Sequence, residues 1–455
     1  MQPIVTPDEM RAIDASAGVP ADVLIDRAGA AVAHAAVQMM GGTYGRVVHV
    51  IAGQGNNGND GRVAARCLAA KGVQVRVHPV ADCPPVLPAA DLVIDAAFGT
   101  GFHGTWSAPD VGSTPVLAVD VPSGIDALTG VGSGRVLHAR RTVTFAALKP
   151  GLLLGAGMLA AGQVDVVDIG LDVGERRLAL LEAADVAQWL PTRSVMAHKW
   201  NAAVRIIAGS PTMPGAAALA AAAAQRTGAG MVQVSSPGLD RFEGMPVEAV
   251  QRVLPAVGWA DEALRSFDRF HALVLGPGLG RSDDTAASAR FVAIRTPLPV
   301  VIDGDGLFAM AWNAEGAAAL LRQRDAPTVL TPHDGEYQLL TGSAPSRDRI
   351  DSARRLAADT ECVVLLKGPT TIVADPSGDA LLVRAGDQRL ATAGTGDVLA
   401  GIIGALVALR VDPFGAAAMG AWIHGRAAAL GPAIGLVASD IPVLVPAVLA
   451  ELRGG

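Results

Sequence analysis

Acids and amides follow short apolar runs in the N-terminal half of the sequence. Residues 53–61 read GQGNNGNDG and come directly after the apolar run 47–52. Asp95 and Asp120 each follow a later apolar run. Open α/β sheets place their ligands at the carboxyl ends of strands, so these loops are predicted to converge on one sheet edge. Amide and carboxylate oxygens suit a hard cation or a polar substrate better than pyrophosphate alone, although the same side chains could serve only as helix caps.

The glycine-rich loop at 53–61 has the GxGxxG spacing of a dinucleotide site. Its glycines permit a tight turn, and the free N–H groups of a following helix can bind an anion. A dinucleotide site also needs an acid at the end of the second strand, where it binds a ribose hydroxyl. Residues 75–78 read VRVH and supply no acid. The sequence therefore disfavours a conventional hydride-transfer Rossmann site.

The strongest local signal of the C-terminal half is AGTGDV at 393–398, which opens a long apolar stretch ending at Leu409. Small residues before a helix leave its first N–H groups free to neutralise developing negative charge. Asp397 lies just inside this predicted helix and can take a proton from a hydroxyl that attacks a phosphoryl group. A glycine-rich helix start with a dipole-favoured Asp is the structural alternative.

Other loops of the C-terminal half also follow apolar runs. GPGLG at 276–280 has the glycines needed for close ligand approach, and DGDG at 303–306 places two acids after a run. His333 stands with acids at a predicted helix start. Lys367 is one of only four lysines in the chain and follows the apolar run 363–366. Its point charge is predicted to meet a nucleotide phosphate.

Short β-rich apolar runs alternate with alanine-rich stretches along the chain. Continuous apolar strands belong to parallel sheets built from βαβ units, so the predicted fold class is α/β. Polyalanine at 216–224 predicts a tightly packed, buried helix. The runs lapse between 171 and 199, which predicts a charged helix and a Pro-bearing connection, and we place a domain boundary near residue 190. The predicted strands are 47–52, 74–77, 92–94, 116–119, 204–208, 273–275, 299–302 and 363–366.

Composition excludes several classes of function. The chain has 455 residues, 36 basic and 43 acidic, with a net charge of −7 and no Lys/Arg block, so nucleic acid and anionic membranes are not predicted partners. Its three cysteines form no CxxC, which argues against disulfides and a zinc site and favours a reducing cytoplasm. No apolar run reaches the roughly 20 residues of a membrane span, and we expect a soluble, unexported protein.

The N-terminal motifs together resemble the NAD(P)HX epimerase domain. They are GxGNNGxDG at 53–61, DAxFGTGxxG at 95–104, VDVPSGID at 119–126 and FAALKPG at 145–151. The resemblance implies a Rossmann-like domain that interconverts the C6 epimers of hydrated NADH and NADPH. It further implies that Asn57, Asp95 and Ser123 bind K⁺ and that Asp120 contacts the substrate as the acid/base residue. The implied substrate contacts are Asn56, Asn57, Gly58, Asn59, Asp60, Gly99, Thr100, Gly101, Phe102, His103, Gly104 and Thr105.

The C-terminal half resembles the ribokinase-like superfamily through GTGD, and more closely the ADP-dependent NAD(P)HX dehydratases. The closer likeness rests on His198-Lys199, GPGLG, DxDxL, TPHxGE, LKGxxT and GTGD in that order. It implies phosphorylation of the C6 hydroxyl of the hydrate by ADP, followed by elimination that yields AMP and phosphate. Mg²⁺ is the expected counter-ion. Gly278, His333 and Asp397 would face the hydrate, and Lys367, Gly368, Pro369, Thr370, Thr371 and Gly396 would hold the adenylate.

These resemblances predict a bifunctional repair enzyme of hydrated nicotinamide cofactors. Residues 1–190 would be the Rossmann-like epimerase domain with a connector, and 191–455 the ribokinase-like dehydratase domain. The partners would be NADHX, NADPHX and ADP, and the resemblance implies a homo-oligomer. The alternative is a ribokinase-fold kinase of a vitamin alcohol with an N-terminal nucleotide-sensing module, since GTGD alone permits either activity.

Overall fold

A computed structural model describes residues 1–241, 244–312 and 315–454 of the chain. The chain divides into two compact units. One unit is Gln2–Leu178, and the other is Met1 together with Ala179–Gly455. Each unit contains a sheet whose strands are mainly parallel, so the α/β fold class is confirmed.

The N-terminal unit contains a six-stranded sheet in which every pair of neighbouring strands is parallel. The strands of this unit are β1 (Gln2–Pro3), β2 (Val47–Ala52), β3 (Gln74–Pro79), β4 (Leu92–Ala96), β5 (Val116–Val119), β6 (Arg141–Phe145) and β7 (Gln163–Val167). Its helices are α1 (Pro7–Ala15), α2 (Ala21–Met40), α3 (Asn56–Ala70) and α4 (Gly155–Ala160). The sheet order is β3-β2-β4-β5-β6-β7. Parallel pairing brings the carboxyl ends of β2, β4 and β5 to one edge, as predicted.

Close packing fixes α3 against its neighbours. A side chain at Gly61 would lie 2.5 Å from the Cβ of Ala96 in β4. A side chain at Gly29 of α2 would lie 2.4 Å from the Cβ of Val63. Both distances are below van der Waals contact, so only glycine lets α3 approach this closely. The first two turns of α3 are therefore held against the central strands.

The segment 178–190 differs from its prediction. It contains a short strand, β8 (Leu178–Leu180), and a short helix, α5 (Ala183–Trp189), where the sequence predicted a charged helix and a connection without strands. The prediction of an uninterrupted lapse of strands was wrong because LAL is too short to stand out among the surrounding charges. Buried side chains at Ala179, Leu181, Val186 and Leu190 join the core of the C-terminal unit. This burial explains why the compact units divide at 178 and 179, before the predicted boundary near 190.

The C-terminal unit also contains a large sheet. Its further strands are β9 (Ala203–Ile207), β10 (Met231–Ser235), β11 (Val250–Gln251), β12 (Ala272–Leu275), β13 (Val300–Ile302), β14 (Thr328–Leu330), β15 (Val363–Leu366), β16 (Thr371–Ala374) and β17 (Ala380–Val383). Its further helices are α6 (Pro214–Thr227), α7 (Ala260–Ala263), α8 (Asp283–Arg295), α9 (Asp305–Ala311), α10 (Ala317–Leu321), α11 (Asp334–Thr341), α12 (Arg349–Thr360), α13 (Thr395–Ala408), α14 (Pro413–Leu430) and α15 (Asp440–Leu452). The order runs β17-β16-β15-β14-β13-β12-β9-β10-β11.

Strands β15, β16 and β17 form antiparallel pairs, whereas the pairs from β15 through β14, β13, β12, β9 and β10 to β11 are parallel. The prediction of parallel sheets was wrong for this edge. Only four residues, 367–370, separate β15 from β16. A parallel connection needs a dozen residues or more, so this short turn forces a hairpin.

Helices α6 and α13 pack directly against each other in the C-terminal core. Alanines 220, 221, 223 and 224 of α6 are fully buried, which confirms the predicted buried polyalanine helix. A side chain at Gly401 of α13 would lie 2.2 Å from the carbonyl oxygen of Ala220. The helix backbones therefore touch, and this contact fixes the direction of α13, whose first turn carries Asp397. Across the described parts of both units, no helix combines the length and apolar character needed to cross a membrane.

Candidate active sites

A cavity of about 1160 Å³ lies in the N-terminal unit, lined by α1 and by the segments that follow β2, β4 and β5. It brings together most of the predicted substrate residues. Those that line it are Asn56, Asn57, Asp60, Gly99, Thr100, Gly101, Phe102, His103 and Asp120. Gly58, Asn59, Gly104 and Thr105 lie outside the lining. The convergence predicted for the three loops is thus present.

Asp120 is the most extensively bound acid of this cavity. Its Oδ1 lies 2.9 Å from Lys149 Nζ and accepts a hydrogen bond of 3.1 Å from Thr144 Oγ1. Its Oδ2 accepts from the Thr100 backbone N–H at 2.9 Å and from Thr100 Oγ1 at 2.5 Å. Burial acts to raise the pKa of Asp120, but Lys149 and Thr100 outweigh it and hold this pKa below its usual value. The carboxyl is therefore an anion at neutral pH.

The backbone of Asp120 is also unusual, because its φ is +66°. This left-handed region is sterically unfavourable for most residues, and Asp and Asn tolerate it better than bulkier ones. The turn directs the carboxyl from the end of β5 to Lys149 and Thr100. The partner Lys149 is almost fully buried and also donates to Thr144 Oγ1 and to the Phe145 carbonyl.

Two further acids line the same cavity, Asp60 from α3 and Asp14 from α1. Burial, with the charges of Asp120 and Asp14, raises the pKa of Asp60 to about 8. Burial likewise raises the pKa of Asp14, against the attraction of Lys149. Asp14 was missed by the sequence reasoning, because it stands in an ordinary amphipathic helix and no motif surrounds it.

Asp95 and Ser123, predicted to bind K⁺, contact each other beside the cavity. Asp95 is fully buried and accepts from the Ser123 N–H at 2.9 Å and from Ser123 Oγ at 2.6 Å. Burial raises the pKa of Asp95, and the hydrogen bonds from Ser123 oppose that rise. Both polar side-chain atoms of Asn57 are buried without a partner in the described chain. An unsatisfied amide and a carboxylate are oxygen donors that fit a hard cation.

The C-terminal unit has its own acid–lysine cluster. Lys367 Nζ lies 2.5 Å from Asp303 Oδ1 and 4.0 Å from Glu336 Oε2. Thr331 Oγ1 also donates to Asp303 Oδ1, at 2.6 Å. Burial acts to lower the pKa of Lys367, but Asp303 and Glu336 outweigh it and the pKa is raised. The lysine therefore stays charged at the end of β15.

Asp397 stands beside this cluster in the first turn of α13. Burial, followed by the charge of Asp303, raises its pKa to about 7, although Lys367 lowers it. A side chain at Gly396 would lie 3.4 Å from Lys367 Nζ, so the GTGD turn and the lysine are neighbours. The structure thus brings Lys367 of the LKGxxT motif together with Gly396 and Asp397 of the GTGD motif.

His333 has a structural contact that the sequence did not predict. Its Nδ1 accepts from the N–H groups of Gly335 and Glu336, at 3.0 and 3.2 Å, and so caps the start of α11. In return, Glu336 Oε2 accepts from the His333 N–H at 2.9 Å. The Nε2 atom of the ring lies 3.5 Å from Glu336 Oε2. Gly278 packs against α6, where a side chain would lie 2.7 Å from the Cβ of Ala216.

Residues 367–370 form the turn between β15 and β16, and Thr371 is the first residue of β16. Arg349, which the sequence analysis missed, holds this turn by donating to the Lys367 carbonyl at 2.9 Å. The same guanidinium binds both carboxylate oxygens of Asp334, at 2.9 and 2.7 Å. No signal near Arg349 in the sequence pointed to this role, because the residue lies in an otherwise ordinary charged helix.

The Mg²⁺ expected in this unit was tested against the side chains present. Among the described residues, no group of three or more His, Cys, Asp and Glu side chains could hold a metal ion alone. Mg²⁺ is commonly held by one or two carboxylates together with substrate phosphates. The carboxylates of Asp397 and Glu336 beside Lys367 fit that mode of binding.

Fold and sites together define the class of this protein. It is a two-unit α/β enzyme with one acid–lysine site in each unit. A family model described as NAD(P)H-hydrate dehydratase matches residues 204–440. A second, described as YjeF-related protein N-terminus, matches residues 21–88 and 78–151. The chain belongs to the family of bifunctional NAD(P)H-hydrate repair enzymes.

Individual relatives support this assignment. The bifunctional NAD(P)H-hydrate repair enzyme Nnr of Mycobacterium leprae is 37% identical, and the match covers 96% of this chain and 95% of the relative. The protein of the same name from Salinibacter ruber is 33% identical over 99% of this chain and 97% of its own. An ADP/ATP-dependent NAD(P)H-hydrate dehydratase from Bacillus subtilis, co-crystallized with ATP and Mg²⁺, is 30% identical with a TM-score of 0.52. It covers 60% of this chain and 98% of its own.

Proposed function

We propose that this chain repairs hydrated nicotinamide dinucleotides by two linked reactions. The N-terminal unit interconverts the R and S epimers of NADHX and NADPHX. The C-terminal unit converts the S epimer to NADH or NADPH with ADP, releasing AMP and phosphate. The observation that carries this proposal is the presence of two separate acid–lysine sites, each inside a region that matches one of the two family models. We assign the two activities to residues 1–190 and 191–455.

In the dehydratase reaction, the Asp397 carboxylate takes the proton of the C6 hydroxyl. In the same step, the C6 hydroxyl oxygen bonds to the β-phosphorus of ADP. AMP leaves, and the C6–O bond of the phosphoester then breaks with release of phosphate. The C5 proton passes to solvent, and the C5–H electron pair forms the C5=C6 double bond of the nicotinamide ring. A pKa of about 7 makes Asp397 a stronger base than an ordinary carboxylate while leaving a large ionised fraction at neutral pH.

The remaining C-terminal residues hold the reacting groups. Lys367 and the N–H groups at the start of α13 face the phosphoryl charge, and Gly368, Pro369, Thr370, Thr371 and Gly396 hold the adenylate. Gly278 and His333 contact the hydrate. Mg²⁺, held through Asp397, Glu336 and the nucleotide phosphates, would supply charge neutralisation at the transferred phosphoryl group.

In the epimerase reaction, Asp120 is the acid/base residue, since it is an anion that lines the cavity beside Lys149. The other substrate contacts are those implied for residues 56–60 and 99–105. K⁺ is proposed at Asn57, Asp95 and Ser123, where it would supply positive charge near the substrate phosphates. This set is supported by the unsatisfied Asn57 amide and the buried Asp95. Assembly as a homo-oligomer in the cytoplasm completes the proposal, and light scattering of the purified chain tests the assembly.

The test is an assay of a mixture of both NADHX epimers with ADP or ATP. We expect the reduced-nicotinamide absorbance to recover completely, with release of free phosphate. Recovery that stops when the S epimer is exhausted would remove the epimerase assignment, and no recovery with either nucleotide would remove the dehydratase assignment. A stable phosphorylated alcohol as product would instead support a ribokinase-fold kinase.

A further inference from the structure

Asp60 lines the N-terminal cavity and has no hydrogen-bond or ion-pair partner among the described residues. It lies in the second turn of α3, is 7% exposed and lines the cavity. Its carboxyl receives no hydrogen bond and forms no ion pair with any residue that the structure describes. A mostly buried carboxyl that lines a cavity and has no partner among the described residues is available to a ligand or to proton transfer. The packing of Gly61 against β4 holds Asp60 in this position.

Asp120 has the opposite surroundings, although it lines the same cavity. Four donor contacts from Thr100, Thr144 and Lys149 satisfy its carboxylate. Lys149 is the only lysine among the described residues that line the cavity, and it is already paired with Asp120. The charges of Asp120 and Asp14 act on Asp60, whereas Arg11 pairs with Asp8 and Arg62 donates to Asn59 Oδ1. The other charged or titratable groups lining the cavity are Arg11, Asp14, Arg62, His103 and Lys149.

We propose that Asp60 is a second catalytic residue of the N-terminal site, which donates the proton that allows the C6 hydroxyl of the hydrate to leave. This inference rests on the proposed epimerase function. In the same turnover, the Asp120 carboxylate accepts a proton from the water that adds to the opposite face of the ring. The site is thus a two-acid site, with one proton shared between two carboxyl groups.

The step balances in atoms and charge. Asp60 gives its proton to the C6 oxygen, the C6–O bond breaks, and water leaves. The N1 lone pair of the tetrahydropyridine ring forms the N1=C6 bond of an iminium ion. A second water adds to C6 from the other face and gives its extra proton to Asp120. One water leaves and one enters, and the proton on the enzyme has moved from Asp60 to Asp120.

This exchange makes the site reversible without a further reactant. After one turnover Asp120 holds the proton, which is the state required for the return reaction. The proton otherwise returns to Asp60 through solvent, because the contacts of Asp120 with Lys149 and Thr100 favour its ionised form. Two carboxyls whose surroundings move their pKa values apart are the usual sign of an acid and a base that work as a pair. The raised pKa of Asp60, about 8, agrees with this division.

The test compares the full-length wild-type chain with the Asp60→Asn and Asp60→Glu variants in R-to-S and S-to-R conversion. We expect Asp60→Asn to lower kcat in both directions by about 10²–10⁴-fold with a smaller change in KM, because an amide cannot donate this proton. Asp60→Glu should recover part of the rate. The matched control is Asp110→Asn, since Asp110 is an exposed acid of the same unit whose carboxylate accepts from the loop N–H of Gly112.

Two further readouts separate catalysis from a structural role. The wild-type kcat/KM should fall as the pH rises through about 8, where Asp60 loses its proton, and this alkaline limb should be absent in Asp60→Asn. Epimerisation in isotopically labelled water should place solvent oxygen at C6. Dehydratase activity on the S epimer should be unchanged in Asp60→Asn, and an unchanged denaturant unfolding transition of the N-terminal unit should show that this unit is folded.

Three outcomes would overturn the inference. They are an Asp60→Asn variant within about twofold of the wild-type rate, an alkaline limb that persists in that variant, and epimerisation without oxygen exchange. A wild-type chain that does not epimerise the hydrate at all would instead remove the proposed function on which the inference rests. The two failures are therefore distinguishable.

Discussion

The two sites contain the same kinds of side chain, but their proposed reactions transfer protons in opposite directions. Each has an aspartate–lysine pair with one buried member, Lys149 with Asp120 at 2.9 Å and Asp303 with Lys367 at 2.5 Å. Each also has one further acid whose pKa is raised, to about 8 for Asp60 in the first site and to about 7 for Asp397 in the second. In the proposed reactions Asp60 gives a proton, whereas Asp397 takes one.

The difference between the two acids follows from their surroundings. Asp397 lies in the first turn of a helix, next to a lysine that lowers its pKa and close to free N–H groups. Asp60 lies further into its helix and is faced by other acids, with the nearby ammonium engaged elsewhere. Burial is the largest cause of the raised pKa of both acids, and Lys367 opposes it at Asp397.

The largest effect expected from this comparison concerns Asp397. Asp397→Asn should lower the dehydratase rate by about 10²–10⁴-fold, because a general base is lost, while epimerisation of the hydrate stays at the wild-type rate. The wild-type dehydratase rate should rise with pH through about 7, as Asp397 loses its proton, and this acid limb should vanish in the variant. Phosphate release and epimer ratios measured on the same sample check both statements. A parallel loss of both activities would contradict the independence of the two sites.

A smaller effect, on stability, is expected when the Asp120–Lys149 pair is broken. Lys149→Met should reduce the free energy of unfolding of the N-terminal unit by about 3–5 kcal/mol, because the buried Asp120 carboxylate loses its counter-charge. The Asp120 pKa is held low in the folded state, so this contribution is present above its ordinary value of 3.8 and is lost as the pH falls through the lowered value. The measurement is denaturant unfolding at neutral and acidic pH.

Lys71→Met provides the control for that experiment, since Lys71 is exposed at the end of α3. We expect it to change the free energy of unfolding by less than about 0.5 kcal/mol. Equal losses in the two lysine variants, or a loss in Lys149→Met that does not shrink in acid, would show that the pair has no electrostatic role in stability.

The smallest effects concern the helix contacts that position the two acids. Gly61→Ala and Gly401→Ala should each reduce the free energy of unfolding by about 1–3 kcal/mol, because the added methyl groups meet Ala96 and the Ala220 carbonyl. Gly215→Ala is the control, as its added methyl has open space at the start of α6. If Gly401→Ala proved as stable as Gly215→Ala, the close contact of α6 and α13 would not be the constraint described.

Much of the architecture could be predicted from the sequence, since continuous apolar runs identify buried parallel strands. Strands β2, β5 and β15 have the predicted bounds. Strands β6 and β7 escaped prediction because polar residues interrupt them, with Thr142 and Thr144 buried in β6. The antiparallel edge escaped because its direction depends on a four-residue turn, which the apolar pattern does not encode.

The site residues that were predicted stand in recognisable motifs, whereas the site residues that were missed lie outside any motif. Asp120, Lys367 and Asp397 stand in motifs next to strands or a helix start, where chemistry is expected. Asp14 and Arg349 lie within helices, and only the tertiary fold brings them to a site. Their charge alone gave no signal, because charged residues on helices are usually in contact with solvent.

The left-handed backbone conformation of Asp120 limits which substitutions this position can accept during evolution. At φ +66° most L-residues are penalised by a steric clash, so the backbone and the proton chemistry both select the same side chain. Mutational drift at position 120 can reach asparagine or glycine without that clash, and neither is a carboxylic acid. A random library at this position should therefore yield folded variants without activity, and the recovery of acid chemistry should require return to aspartate.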